Sequence, residues 1–437
     1  MAAESKPSIG FVGLGAMGFG MATNLVNQGY HVKGFDVFPA SVQRFQQAGG
    51  AAAASLVDSA TDCPFYIVMV ASADQVQEAL FGEHGAVKAL PQGATLLLCS
   101  TVPSSYAESV AKELQNVGRG DVFFVDAPVS GGTTRAANGT LTIMAGAEPE
   151  ALEKARWLLQ EMSDPKSLYI PGGIGSGSNM KMVHQVLAAI QILLSSEAMG
   201  FAARLGLDAQ TTYEAINKSD TWCWMFENRV PRLIEEDFVP GASAITIILK
   251  DAGIITSMAR LTDFPTPLSA AAEAMYLVAL GQGMGRLDDA SMVRLYYPEP
   301  VKTVKVEEPQ AEKLELVFKL LRGVLICAAA EAVGFARFLG LDLHQFHELA
   351  ANAAGGSVQF RDRGAEMIEL LTGQKVAGTQ TLPELDIGAV RKDLAEAISA
   401  ARKANCPTPL ASQALSLLAT GERKGAKRGD EYYGLLV

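Results

Sequence analysis

The chain has no block of basic residues: its 36 lysines and arginines are dispersed among 47 acidic residues, for a formal net charge of −11. A nucleic-acid backbone would find no continuous positive track here, so no nucleic-acid partner is expected. Cysteine is scarce as well. Cys63, Cys99, Cys223, Cys327 and Cys406 show neither CxxC spacing nor a nearby histidine cluster, which argues against a disulfide framework and against a metal site, and suits a reducing compartment. Met1 to Lys6 contains no hydrophobic signal core. The most apolar helical stretch carries Gln191, Ser195, Ser196 and Glu197, costly groups in a bilayer. A cytoplasmic protein with no membrane partner is the expectation, and 437 residues, 49% of them apolar, allow two or three domains with substantial cores.

From Ile9 to about Ile170, short apolar runs alternate with helical patterns. Ile9–Leu14, His31–Asp36, Phe65–Val70, Thr95–Ser100, Val122–Asp126 and Leu141–Ala145 read as strands. That alternation predicts a parallel, doubly wound α/β domain of the Rossmann type over residues 1–172. After Gly177 the apolar period becomes helical and stays so, which predicts an all-helical domain over 173–297. Pro298 to Pro309 is proline-rich and charged without either period, and reads as a linker, 298–310.

Residues 311–437 repeat what precedes the linker. Glu197-Ala-Met-Gly-Phe-Ala-Ala-Arg-Leu-Gly-Leu-Asp208 returns 134 residues later as Glu331-Ala-Val-Gly-Phe-Ala-Arg-Phe-Leu-Gly-Leu-Asp342. Lys250-Asp251 and Pro265-Thr-Pro-Leu268 return 142 residues later as Lys392-Asp393 and Pro407-Thr-Pro-Leu410. Two merely alanine- and leucine-rich regions would not reproduce these landmarks in order. The expected architecture is therefore an α/β Rossmann-type domain followed by two homologous all-α domains. The eight extra residues of the second copy are expected between Leu371 and Leu385, among Gly373, Gly378 and Pro383.

Gly13-Leu14-Gly15-Ala16-Met17-Gly18 follows the first strand and opens a helix. In such a GxGxxG the first glycine permits the turn, the second lets backbone N–H groups approach a pyrophosphate, and the third allows close helix packing. Asp36 ends the second strand, where a carboxylate accepts from the adenosine ribose hydroxyls and repels the extra phosphate of NADP; uncharged Val37, Phe38 and Pro39 follow. NAD is the expected cofactor, ahead of NADP. Asp36 has a second reading, as a helix-capping acid ahead of Pro39.

Asp126-Ala-Pro-Val-Ser-Gly-Gly132 lies at the carboxyl edge of the sheet, where Ser130 and the N–H groups of Gly131 and Gly132 can bind a carboxylate; on its own it could equally be a plain turn. Gly175-Ser-Gly-Ser-Asn-Met-Lys181 delivers a lysine into an apolar helix. Together with Asn138-Gly-Thr-Leu-Thr-Ile-Met-Ala145, these motifs resemble the β-hydroxyacid dehydrogenase family, over roughly residues 7–297. The resemblance implies that Lys181 moves the proton, that Thr101 and Lys250 approach the nicotinamide, and that Val70, Ala71 and Gln75 touch the cofactor. Chemistry agrees about the lysine. Oxidising an alcohol needs a base as hydride leaves, and a lysine serves where its surroundings lower its pKa from about 10.4.

Most of that family carries two asparagines three and four residues after the lysine; this chain has His184 and Gln185. Gln185 shares the helix face of Lys181, while His184 reads either as a substrate ligand or as a satisfied core histidine. The stretch from Lys181 to Ala188, with Trp224–Arg229 and Lys250-Asp251, is similar to the L-threonate dehydrogenase branch, which implies a short polyhydroxylated carboxylate as substrate. Two other readings stand beside it: an imine reductase on the same scaffold, and a dehydrogenase-like binding protein without chemistry. In the second copy Glu315 stands at the position of Lys181, so that copy is expected to be structural. It should pair with the first copy as an intrachain pseudo-dimer, leaving the chain a monomer or free to associate further.

Overall fold

A computed structural model describes residues 6–239, 243–377 and 385–425. Gly378 and Pro383, two of the three residues around which the insertion is expected, lie outside the described residues. The chain forms two compact units, Met1–Lys181 and Met182–Val437.

The first unit contains one sheet. Its strands are β1 (Ile9–Val12), β2 (Val32–Phe35), β3 (Ala51–Ala52), β4 (Phe65–Val68), β5 (Thr95–Leu98), β6 (Phe123–Asp126), β7 (Val129–Ser130), β8 (Leu141–Ala147) and β9 (Ser163–Gly172). The order β3-β2-β1-β4-β5-β6 is parallel throughout, as the alternating pattern requires. Beyond β6 the sheet departs from the all-parallel expectation, because β8 runs antiparallel to both β6 and β7 and parallel to β9. Residues 131–140, with the short helix Gly132–Asn138, join β7 to β8, and so short a connection suits an antiparallel neighbour, whereas a parallel one needs a crossover of a dozen or more residues.

Helices α1 (Ala16–Asn27), α2 (Pro39–Gln47), α3 (Leu56–Ala60), α4 (Ala73–Phe81), α5 (Ser104–Asn116), α6 (Gly132–Asn138) and α7 (Pro149–Met162) cover the sheet. Alternate strand residues feed separate cores. Phe11, Ile67, Leu97 and Val125 pack with Leu25, Phe45 and Leu158, whereas Val12, Tyr66, Val68, Leu96 and Leu98 pack with Leu80, Val110 and Leu114. Apolar burial on both faces explains why these strands read as continuous apolar runs.

The second unit is helical. Helix α8 (Ser176–Arg204) begins in the first unit and is followed by α9 (Ala209–Asn217), α10 (Trp224–Glu235), α11 (Ile245–Leu261) and α12 (Pro267–Gly281). By length and composition α8 is apolar enough to cross a membrane, and its most apolar window is wholly buried within the protein. Residues 298–310 contain a short turn, Val301–Thr303, and hold to α8's end: Glu307 N–H donates to Gly206 O at 2.9 Å, and Gln310 Nε2 donates to the same oxygen at 3.2 Å. After them come α13 (Gln310–Phe338), α14 (Leu343–Ala351), a π turn over Phe360–Gly364, α15 (Ala365–Thr372), α16 (Ile387–Lys403) and α17 (Pro409–Arg423).

Helices from either side of 298–310 satisfy each other's ends. The first N–H groups of a helix have no partner within it. At α12 those of Leu268 and Ser269 donate to the Glu331 carboxylate of α13 at 2.8 and 2.9 Å. At α17 those of Leu410 and Ala411 donate to the Glu197 carboxylate of α8 at 3.1 and 3.0 Å. Both carboxylates are fully buried, and burial pushes both up to about 7 against the lowering pull of those N–H groups. Between the two arms, Trp224 N–H donates to Gly356 O and Val358 N–H to Trp222 O, an antiparallel bridge centred on Cys223 and Ser357.

Candidate functional site

The glycine loop has the shape its spacing predicts. Gly13 has φ +95° and a methyl there would overlap the Met69 carbonyl; a methyl on Gly18 would overlap the Gly13 carbonyl; around Gly15 the space is open. Leu14 N–H donates to Asp36 Oδ2 at 2.7 Å, which ties the loop to the end of β2. Phe38 N–H takes the other oxygen at 2.9 Å. Asp36 therefore braces the loop and its own turn at once; it does not cap α2, whose N-cap residue is Phe38 and whose start has no side-chain cap. Ala16, Met17 and Gly18 form the first turn of α1, whose start has no side-chain cap. Uncapped N–H groups beside an open glycine fit a pyrophosphate.

The segment after β4 is held by its own side chains. Val70 N–H donates to Ser100 Oγ at 2.8 Å and Ala71 N–H to Gln75 Oε1 at 2.9 Å, so Gln75 turns back onto the loop it belongs to. Thr101 follows β5 at the same edge of the sheet and is half-buried. Ser130 lies in β7, paired with Thr142, rather than in an open loop; Gly131 and Gly132, at φ +137° and +71°, then start α6. Only glycine adopts such backbone angles without strain.

The start of α8 is fixed by a residue that the motifs contained but did not single out. Asp126, at the end of β6, is completely buried and accepts from Ser178 N–H at 2.8 Å and Ser178 Oγ at 2.7 Å. Burial pushes it up to about 6, opposed by these hydrogen bonds. Gly175, at φ +88°, makes the turn, and a side chain on Gly177 would overlap the Met144 carbonyl. The first turn of the helix is thus clamped to the end of β6 and against the middle of β8. One turn later comes Lys181, 6% exposed.

In the second unit, His184 is completely buried. Its Nε2 accepts from Gly355 N–H at 3.2 Å, and its Nδ1 lies 3.2 Å from Gln185 Oε1. Gln185 Nε2 donates to Asp251 Oδ2 at 2.6 Å, and Lys250 Nζ lies 3.2 Å from Asp251 Oδ1. Asp251 and Gly355 were not legible as site residues, because the pairings join positions 66 and 171 residues apart. Among the described residues no group of histidine, cysteine or acidic side chains could hold a metal.

Comparison with known proteins places these features. The NAD-binding domain of 6-phosphogluconate dehydrogenase matches residues 8–173, and the NAD-binding domain of NADP-dependent 3-hydroxyisobutyrate dehydrogenase matches twice, over 175–296 and 310–433. The chain is 38% identical to L-threonate dehydrogenase of Cupriavidus necator over 289 residues, 66% of this chain and 96% of that one. The L-threonate dehydrogenase of Escherichia coli K12 is 33% identical over 68% of this chain and 97% of its own length. A 3-hydroxyisobutyrate dehydrogenase structure from Salmonella typhimurium matches with a TM-score of 0.61 and 31% identity, over 67% of this chain and all of that one. A Plasmodium falciparum 6-phosphogluconate dehydrogenase, 16% identical, shares the fold over 94% of this chain and 91% of its own, with a TM-score of 0.68. With an NAD(P)-binding domain ahead of its helices, the chain belongs to the hydroxyisobutyrate dehydrogenase-like family of hydroxyacid dehydrogenases.

Proposed function

We propose that this enzyme interconverts the alcohol and carbonyl forms of a short hydroxy or sugar acid such as L-threonate, with NAD as the preferred cofactor. The observation that carries this reading is the buried Lys181, one turn into a helix whose start Asp126 and Gly177 clamp in place. Bound at the Gly13–Gly18 loop, the nicotinamide nucleotide supplies the hydride acceptor or donor. Lys181 takes the hydroxyl proton in oxidation and returns it in reduction. Gln185, one turn along the same helix, hydrogen-bonds the substrate, and Ser130, Gly131 and Gly132 hold its carboxylate. Asp36 supports NAD over NADP by charge. Five free, buried cysteines suit the cytoplasm.

The test is NADH absorbance with a panel of four-carbon sugar acids and short hydroxyacids, each with NAD and with NADP. Threonate-dependent reduction of NAD is expected. Activity confined to methyl-bearing acids such as hydroxyisobutyrate, or to NADP, would overturn the substrate or the cofactor half of the reading.

We further propose a division into 1–172, 173–297, a linker 298–310 and a duplicate 311–437 that performs, within the chain, the role of a partner subunit. The double match of one family domain supports it. So does the exchange of helix caps between Glu197 and Glu331, residues the sequence repeat makes equivalent. The bridge offers independent support, since Cys223 and Ser357 are themselves 134 residues apart and would lie on a pseudo-twofold axis. Truncation after Tyr297 should leave an insoluble, dimerised or inactive protein. A truncated chain that is soluble, monomeric and fully active would refute the duplicate's role.

A further inference from the structure

We propose that residues 426–437 dock on the start of α16 and grip Arg363 through Glu431, closing the second helical copy as residues 284–295 close the first. The inference rests on the duplication and not on the reaction, and the occupant it names is a segment of this same chain.

In the first copy the segment after α12 is built into the fold. Gly283, at φ +80°, ends the helix with its N–H on Leu280 O at 3.0 Å. The chain then passes beside the start of α11. There Ile245 N–H donates to Leu287 O at 3.0 Å, Thr246 N–H donates to Gly285 O at 3.2 Å, and Ala244 forms a β-bridge with Asp288. Two donors that a helix start leaves over are thereby satisfied. Asp289, completely buried, takes the Nε and Nη2 edge of Arg229 on its two oxygens, both at 3.0 Å. Nη1 of that arginine turns instead to Asn228 Oδ1 at 2.7 Å.

The second copy presents the same socket. Helix α17 ends as α12 does: Gly425, at φ +96°, donates to Glu422 O at 3.0 Å, so both helices release the chain through one kind of left-handed turn. Asp386, at the place of Ala244, also makes a single β-bridge. Ile387 and Gly388 stand for Ile245 and Thr246. Ile387 is completely buried, and among the described residues no acceptor meets either N–H. Buried donors require one. Arg363 holds the place of Arg229, its side chain 13% exposed against 11%. Its Nη1 donates to Glu366 Oε2 at 2.8 Å, and among the described residues the Nε and Nη2 edge has no partner.

The segment carries the matching groups. Gly283-Met-Gly-Arg-Leu-Asp-Asp289 corresponds to Gly425-Ala-Lys-Arg-Gly-Asp-Glu431, at the same offset as the Lys-Asp and Pro-Thr-Pro-Leu landmarks. The second match to the family domain runs on to residue 433, beyond the end of α17. Leu435 takes the place of Val293, and two neighbours exchange size, Ala290 and Met292 becoming Tyr432 and Gly434. A carboxylate on an arginine edge is a bidentate, charge-assisted pair, which glutamate forms as aspartate does. One contact changes. Arg232, whose Nε donates to Asp288 at 3.1 Å, has Glu366 as its equivalent, so the second grip has one arginine where the first has two. That grip braces the far end of the segment that starts at Gly355, whose N–H meets His184 of α8 at 3.2 Å.

Hydrogen exchange of the intact protein, read by mass spectrometry on peptides covering 429–437, tests the proposal. In the parent these amides should exchange about tenfold or more slowly than in a free peptide of the same sequence. Glu431→Arg should remove that protection, and so should Arg363→Glu. The double variant Arg363→Glu with Glu431→Arg should restore most of it, a recovery that a space-filling role of Arg363 would not give. Where Arg363→Glu does not fold, Glu431→Arg decides alone, because its site lies beyond α17. Exchange in the parent as fast as in the free peptide, or protection untouched by Glu431→Arg, would overturn the grip. Protection that falls on dilution would give the socket to the segment of a second copy and overturn the intrachain form. Truncation after Tyr297 tests the duplicate's role by solubility and activity, so a failed grip and a failed duplicate give different results.

Discussion

At places that the sequence offsets make equivalent, Gln185 donates to Asp251 at 2.6 Å and Lys319 meets Asp393 at 3.2 Å. Both contacts join a long helix, α8 or α13, to the helix bearing the Lys-Asp pair, α11 or α16. The first is a neutral amide on a carboxylate; the second is an ion pair, joined by Glu396 at 2.6 Å. One turn earlier the contrast sharpens, for Lys181 in α8 is buried while Glu315 in α13 is half exposed and lies 4.0 Å from Arg322. His184, whose Nε2 accepts from Gly355 N–H, has Phe318 as its equivalent, with no ring nitrogen. What the two stretches share is their mutual capping: Glu197 and Glu331 both serve a helix start across the chain. Packing and chemistry are thus separable within one sequence, and the groups that hold the helices together are not the groups proposed to react.

The largest expected effect breaks the comparison at its chemical end. Lys181→Ala should lower turnover by about a hundredfold or more with cofactor affinity retained, while Glu315→Ala leaves turnover within about twofold of the parent. Comparable losses in both, read by NADH formation, would erase the distinction.

Next in size are the shared caps. Replacing either Glu197 or Glu331 by Leu should destabilise the protein by about 1–3 kcal/mol, because two buried N–H groups lose their acceptor. The costs in the two variants should be similar, measured by urea unfolding. Their pH dependence has a definite sign. Each carboxyl is raised from 4.5 to about 7 in the folded protein, so its contribution is complete below 4.5 and is lost as pH rises through 7. The glutamine variants should flatten that part of the stability profile; an unchanged slope between pH 5 and 8 would contradict the assignment.

Smaller again, Asp36→Ala should narrow the ratio of kcat/KM for NAD over NADP, and also loosen the Gly13–Gly18 loop, since the same carboxylate holds Leu14 N–H. A ratio that does not move would place cofactor choice elsewhere. The smallest effect is expected for Lys319→Gln, which gives α13 the amide of α8. Its partners are exposed, so turnover and melting temperature should stay near the parent values.

The strands of the first unit were legible where both faces are apolar, as in Phe65–Val68 and Thr95–Leu98. Three strands were not legible: β3, β7 and β9, of which β7, Val129–Ser130, is two residues long and lies in the motif expected to be a loop. β3 is two alanines long, too short for any period, and β9 carries Asp164, Lys166 and Ser167 on an outer edge where burial imposes no pattern. The antiparallel place of β8 was hidden because a strand's direction depends on the connection before it, here the brief β7 and α6. Within the site, the glycines were legible because their spacing is a local requirement. Asp126 stood inside a recognised motif, yet its acceptor role depends on Ser178, 52 residues away. His184 left two readings open because only the loop at Gly355 says what its ring does.

The exchange of caps also orders events in time. The N–H groups of Leu268 and Ser269 emerge from synthesis 63 and 62 residues before the carboxylate that satisfies them, and Glu197 precedes its partners at 410 and 411 by 213 and 214. Contacts of such long range carry a large loop-closure entropy and form late. Residues 182–297 therefore leave the ribosome with α12 uncapped and a buried-type carboxylate unsatisfied, and complete their interior only when α17 arrives. The first helical stretch thus relies on the last for its final contacts, and the second unit is expected to fold as one cooperative step rather than as two modules in turn, a single unfolding transition being the outcome that checks it.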